Sequence, residues 1–391
     1  MKEYSMKKNS TTEDFFVEQT EKSFIKSAIV HNFFRIYLRI INSHFNKKMY
    51  YIDLFSGPGK YENGSDSTPM YILDAIQSYD NGELLNRIQC VFNEADTNLY
   101  KKLVDNVKSH EIYNKLSLKP IITNIDAAKV DLSCYLNNRS PVFSFVDPFG
   151  YKSTSAKQIW SLVQNIGSDC IFFFNANRII LDFSKPNKDS DFKELFGKYY
   201  NSLAEKITDN ISHHQKMVYV LEAFSRNLKD IVYNQNYEYK LFILPFGFCF
   251  DDREKESHYL LFISKNHKAV EEMKKIMNKF ATSISEMYTF DAKTVDQLSF
   301  FNLEDDGYIN FKKTVKNLRI SLLGKTWTLK MFCEEIDNLS MQCYHKVTPF
   351  TEKEIKYFLR RYYNEGFIIS KAEFSNREIF AEKRTFKLKD E

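Results

Sequence analysis

Two carboxylates and a pair of glycines give the sequence its clearest chemistry. The run Y-Y-I-D-L-F-S-G-P-G at Tyr50–Gly59 places Asp53 at the end of an apolar stretch, with Gly57 and Gly59 close behind it. A strand followed by such a loop can bring backbone N–H groups close to a nucleotide, because a Cβ at either glycine would occupy the same space. Glu94, in V-F-N-E-A-D, ends a second apolar run, and a carboxylate there can accept both hydroxyls of a ribose. The competing reading is a tight turn that holds no ligand. Nicotinamide chemistry is disfavoured on spacing: Glu94 lies further from Gly59 than the roughly 20 residues of a dinucleotide fingerprint. The third glycine of that fingerprint is missing too, since Asn63 and Gly64 fall too late.

Two further strand ends carry polar groups. T-N-I-D-A at Thr123–Ala127 ends the third apolar run in Asp126, which by itself suits an Asx turn capping a helix. V-F-S-F-V-D-P-F-G-Y at Val142–Tyr151 delivers Asp147, Pro148, Phe149 and Tyr151 to a strand's carboxyl edge. Pro148 would fix backbone carbonyls toward a substrate amine, Phe149 or Tyr151 would offer a face for a base to stack on, and Asp147 would accept a proton or hydrogen bond from the nucleophile. The competing reading is a Pro-Phe-Gly turn packed under the sheet.

Positioning these groups at one edge requires alternating strands and helices. Apolar runs predict strands at 49–55, 88–93, 118–123, 142–146 and 169–175, with helices at 21–43, 68–78, 97–109 and 155–165 between them. This alternation predicts an α/β fold with a parallel sheet. Runs at 239–250 and 257–264, joined by the charged D-D-R-E-K-E-S, predict an antiparallel hairpin, and a helix is expected over 269–281. From about residue 318, two short helices with Thr N-caps (328–339 and 351–363) precede two strand-like pieces, the outline of a winged helix. The expected organisation is a loose tail at 1–20, an α/β domain at 21–288, a linker at 289–317 and a winged-helix-like domain at 318–391.

Composition sets the outer limits. With 391 residues, 55 Lys+Arg and 51 Asp+Glu, the net charge of +4 excludes a strongly basic nucleic-acid coat but not a local basic face. The 43% hydrophobic content excludes a mostly disordered chain. The N-terminal residues lack an apolar stretch of signal-peptide length, and no apolar run reaches the roughly 18 residues that span a bilayer. A cytoplasmic protein without membrane contact is expected. Cys90, Cys134, Cys170, Cys249, Cys333 and Cys343 are scattered with no C-x-x-C pair, so neither a zinc site nor a disulfide framework is expected, and no metal ligand is assigned. The absence of a Pro-Cys pair argues against cytosine ring-carbon methylation.

The spacing D-x-F-x-G-x-G with an acid after the second strand resembles class I S-adenosylmethionine-dependent methyltransferases. V-D-P-F-G resembles the D-P-P-Y motif of amine-directed nucleic-acid methyltransferases, with one proline in place of two and the aromatic directly after it. The order Y-I-D-L-F-S-G-P-G, N-E-A-D, V-D-P-F-G, F-F-N-A-N-R (Phe173–Arg178), E-L-F-G (Glu194–Gly197) and Y-L-L-F-I-S (Tyr259–Ser264), behind a helix bearing Lys22 and Lys26, is similar to the three-Cys-motif partner protein (TcmP) family over residues 15–281. The resemblance implies a Rossmann-like methyltransferase sheet closed by an antiparallel hairpin. It implies S-adenosyl-L-methionine as cofactor, held by Asp53, Phe55, Gly57, Gly59, Glu94 and Asp126, the last of which would in that fold accept from the exocyclic amine of the adenine. Asp147, Pro148, Phe149 and Tyr151 would form the catalytic edge, with Lys26, Asn175 and Arg178 toward substrate. The family name implies a cysteine-rich partner protein encoded nearby.

On the last helix, Lys356 and Arg360, with Lys353, Arg361, Tyr357, Tyr362 and Tyr363, would suit a nucleic-acid groove, although winged helices also dock proteins. Lys22, Lys26, Arg35 and Arg39 also fit a solvated helix face. The leading expectation is a methyltransferase acting on a DNA or RNA base. The alternatives are a non-catalytic or partner-dependent methyltransferase-fold subunit of a bacterial, phage-defence system, and a winged-helix regulator whose cleft senses a small molecule.

Overall fold

Parallel strands buried on both faces form the first half of the molecule. The structure is a computed structural model and describes residues 18–79, 82–137, 139–148, 154–183, 192–235, 240–250, 255–284, 287–290, 300–370 and 384–389. The chain divides into two compact units, Met1–Ile171 and Phe172–Glu391.

The first unit contains strands β1 (Met49–Asp53), β2 (Ile88–Asn93), β3 (Ile121–Thr123) and β4 (Val142–Val146), and the start of β5 (Asp169–Phe174). Every residue of β1, β2 and β4 is buried, as expected of parallel strands covered by helices on both sides, whereas β3 is half-buried. The pairs β1–β2, β1–β4 and β2–β3 are all parallel, in the order β3-β2-β1-β4. The chain therefore winds outward from β1 to β3 and then restarts on the other side of β1. That reversal opens a crevice at the carboxyl ends of β1 and β4, where open α/β sheets take their ligands. Register reinforces it: Asp53 lies opposite Phe92 of β2 and Phe145 of β4. Glu94 and Asp147 each follow two residues after those partners, so the three acids emerge along one edge.

One face of this sheet is covered by the helix Glu21–His44, capped by Thr20, whose side chain accepts from Ser23 N–H at 3.2 Å. Its Phe33, Phe34 and Tyr37 pack on Phe143 with ring centroids 5.3–5.6 Å apart, and Phe34 meets Tyr51 at 5.3 Å. Phe33, Phe34 and Phe143 are thus core residues. The helices Thr68–Ser78 and Thr97–Ser109 fall where the sequence predicts them, the latter capped by Asp96.

The second unit holds the expected hairpin, β6 (Phe242–Phe250) antiparallel to β7 (Lys255–Ser264), extended by β8 (Ser283–Ile284) and β9 (Tyr288–Phe290). The stretch read as a linker differs from expectation. Phe300–Leu322 is a 23-residue helix, because Tyr308, Phe311, Val315, Leu318 and Leu322 form an apolar stripe at helical spacing that is buried. It packs with the helices Leu329–Cys343 and Glu352–Asn364 and the antiparallel ribbon β10 (Ile368–Ser370) and β11 (Phe386–Leu388) around one core. Thr328 and Thr351 are the N-caps expected, and Thr351 with Glu354 completes a reciprocal capping box. Gly366, at φ +88°, turns the chain into β10.

Candidate functional site at the carboxyl edge of the parallel strands

The glycine loop is held by Glu94. One carboxylate oxygen accepts from Gly57 N–H at 2.9 Å and the other from Asp96 N–H at 2.8 Å. Glu94 is buried, and burial raises its pKa against the opposing pull of those two N–H groups. Gly57 and Gly59 adopt φ of +65° and +83°, a conformation that side chains rarely tolerate. A Cβ on Gly59 would also crowd the Met70 methyl at 3.3 Å. Asn106 donates to Pro58 O at 2.8 Å, tying the loop to the helix behind it.

Asp53 is buried at the end of β1, accepting from Phe55 N–H at 3.0 Å and from the Tyr51 hydroxyl at 3.4 Å. Burial pushes its pKa up to about 8; the Phe55 N–H opposes this, and the charges of Asp147 and Glu94 add to it. Asp53 is therefore mostly protonated at neutral pH. Asp147 forms an ion pair with Lys26, which corrects the solvated-face reading for Lys26: this residue is buried while Arg35 and Arg39 are exposed. Lys26, Asp53, Phe55 and Asp147 line a common cavity with Ser27, Tyr61 and Thr68. The Ser27 and Thr68 hydroxyls are 3.0 Å apart there. As lined by the described residues, the cavity measures about 30 Å³, room for a water or two.

The remaining expected site residues separate. Asp126 is exposed and caps the turn Ala127–Lys129 through Ala128 N–H at 3.1 Å, which is the Asx-turn reading. Pro148 is buried beside Asp147, and Phe149 and Tyr151 lie outside the described residues. Asn175 and Arg178 belong to the second unit, where the Asn175 side chain accepts from Arg178 N–H at 2.9 Å. Lys356 and Arg360 are half-buried on the helix Glu352–Asn364. On the same helix Tyr362 is a core residue, and Arg361 lies over the Tyr308 ring at 4.0 Å, so neither presents the open face expected of it. Cys90 and Cys170 are buried, with thiols pushed up to about 12 by that burial, and are no nucleophiles.

Asn93 is the residue the sequence did not single out. Its amide donates to Leu54 O at 3.0 Å and Ile125 O at 2.8 Å, and its carbonyl accepts from Thr123 Oγ1 at 2.8 Å and Ile125 N–H at 3.2 Å. Every donor of this amide is used, and it fastens the loops after β1 and β3 to the end of β2. The N-E-A-D run contains it, but its long-range partners leave no local pattern.

In the second unit, His267, Glu271 and Asp337 form the one cluster of potential metal ligands among the described residues. Lys274 already supplies its positive charge, 2.6 Å from Asp337 Oδ2 and 3.1 Å from Glu271 Oε1.

No family model matches the chain, and no curated protein matches it. Solved structures do resemble it. Protein LPL1258 of Legionella pneumophila, assigned to the family model DUF519, shares 12% identity over 66% of this chain and 92% of its own, with a TM-score of 0.37. The methyltransferase domain of a bacterial Hen1 (CtHen1-C) shares 11% over 61% and 98%, with a TM-score of 0.30. A putative S-adenosylmethionine-dependent methyltransferase from Methanococcus maripaludis shares 14% over 67% and 98%, also at 0.30. Likeness at these TM-scores carries no argument about function, which must come from the site.

Proposed function

We propose that this protein is an S-adenosylmethionine-dependent methyltransferase of TcmP-like type acting on a DNA or RNA base. The observation that carries the reading is Glu94, a buried carboxylate two residues beyond Phe92 in register with Asp53, bonded to the N–H of a left-handed glycine at the crevice beside β1. The residues fit the cofactor: Glu94 retains lone pairs for ribose hydroxyls, and Gly57 and Gly59 hold the loop in a left-handed backbone conformation that brings it round to Glu94. Glu94, Gly57 and Gly59 would hold it, with Phe55 beside them; Asp126 caps the turn Ala127–Lys129 through one oxygen.

The cofactor supplies an electrophilic methyl group, so the protein need only align the acceptor and exclude water. Asp147, oriented by Lys26, accepts the hydrogen bond of an acceptor N–H, while protonated Asp53 can donate without adding charge. Support for a nucleic-acid substrate comes from Lys353, Lys356 and Arg360 beside the exposed Tyr357, on a helix followed by the ribbon β10–β11, the element order expected of a winged helix.

A second reading, a non-catalytic or partner-dependent subunit, is favoured by the cavity at Asp147. It is far smaller than a nucleobase, and V-D-P-F-G carries one proline. Transfer of labelled methyl groups from S-adenosylmethionine to single- and double-stranded DNA and RNA, with and without a cysteine-rich neighbour protein, tests the proposal. Labelled nucleic acid, lost in Glu94→Ala, is expected. Cofactor binding without transfer to any of them would give the second reading instead.

A further inference from the structure

The second unit contains a cavity of about 110 Å³ that the proposed reaction does not use. One wall is a polar helix face: Asn310, Lys313, Thr314 and Asn317 recur at helical spacing on Phe300–Leu322, opposite the apolar stripe that enters the core. The opposing wall is the loop after Leu329–Cys343, contributing Lys346 and the apolar Val347 and Phe350. Among the described residues lining the cavity there are two lysines and no carboxylate. Ser340 also lines it. It is 3% exposed, and its hydroxyl is buried with no hydrogen-bond partner among the described residues. A buried hydroxyl without a partner costs about 1–3 kcal/mol, and such a group inside a cationic cavity asks for an anionic acceptor.

The loop wall is fixed before any ligand arrives. Asp337 accepts from Thr348 N–H at 3.0 Å and its hydroxyl at 2.8 Å; Lys274 donates to Phe350 O at 3.0 Å; Val347 N–H donates to Ile243 O at 2.9 Å. His345 is held at φ +58°, a conformation non-glycine residues rarely adopt. The buried ion network of Lys274 and Asp337 thus gives this cavity its shape.

We propose that this cavity is a binding site for a small phosphomonoester. Lysines supply point charges suited to a tetrahedral oxyanion rather than the flat fork that matches a carboxylate. The volume approaches that of an engineered cavity of about 150 Å³ that takes up benzene, enough for the phosphate and the first atoms of its ester, with the rest over Tyr344 at the rim. The site lies wholly in the second unit and does not depend on the methyltransferase reading.

Calorimetry on the full chain tests it with inorganic phosphate, adenosine 5′-monophosphate and, as the uncharged control, adenosine. Both phosphates bind and compete, adenosine does not compete with inorganic phosphate, and Glu94→Ala leaves phosphate binding unchanged. Lys313→Gln and Lys346→Gln each weaken it about tenfold, as expected for loss of one charge-assisted contact. Ser340→Ala weakens it less, while the melting temperature without ligand stays near that of the unaltered chain for the surface variant Lys313→Gln. No binding of either phosphate at millimolar concentration overturns the proposal, as does binding undiminished in the Lys313→Gln/Lys346→Gln double variant. Lysine-dependent binding of duplex DNA with no binding of the small phosphates also overturns it.

Discussion

Lys26 and Lys274 are both buried against an aspartate, one in each compact unit, and their surroundings set them apart. Lys274 is fully enclosed, and its three hydrogens go to Asp337, Glu271 and Phe350 O. The other oxygen of Asp337 is taken by Thr348, and that of Glu271 by Glu352 N–H at 2.9 Å. Lys26 and Asp147 instead retain 10% and 22% side-chain exposure and line a cavity at the crevice between β1 and β4. A buried ion pair by itself therefore says little about chemistry. What separates scaffold from site is whether space adjoins the pair.

The contrast breaks most sharply by removing each lysine. Lys274→Met leaves two carboxylates without their cation and is expected to cost about 3–5 kcal/mol in chemical denaturation. A cost under about 1 kcal/mol would mean that the network does not hold the fold. Lys26→Met should cost under about 2 kcal/mol, since water reaches Asp147, yet lower methyl transfer at least about tenfold. A variant with full activity would remove Lys26 from the site.

Asp53, buried beside the Lys26 pair, responds to pH. Its folded pKa is raised from 3.8 to about 8, so the folded state holds the proton more tightly than the unfolded chain. Stability from this group is then full below about pH 4 and declines as pH rises toward about 8. The melting temperature of Asp53→Asn relative to the unaltered protein should accordingly climb across that window. A difference that stays flat would show that Asp53 is ionised in the fold. The smallest effect is expected at a helix cap: Thr351→Ala should cost about 1 kcal/mol, with methyl transfer unaltered.

The sequence made the scaffold of the crevice readable for a physical reason. β1, β2 and β4 are continuous apolar runs ending in polar residues, because strands buried on both faces have no room for alternation. Glycines at positive φ and threonine caps are local devices, and Gly57, Gly59, Thr328 and Thr351 were found on that ground. What was not legible depends on distant partners. Asn93 works through Leu54 and Ile125, and Asp337 meets His267 seventy positions away in the chain. The helix Phe300–Leu322 carries a stripe at helical spacing that was readable within the stretch assigned to a linker at 289–317. By sequence Lys26 is one of four basic residues, with Lys22, Arg35 and Arg39, that fit a solvated helix face; its ion pair with Asp147, 121 positions away, leaves no local pattern.

The proposed function requires the crevice at Gly57–Gly59 and Glu94 to hold S-adenosylmethionine. Calorimetric titration of the cofactor into the purified protein, beside Glu94→Ala and Gly59→Val, tests it most directly. Binding with one molecule per chain, weakened at least about tenfold in both variants, is the expected result. No binding to the unaltered protein, with a known methyltransferase binding in parallel, would contradict the account.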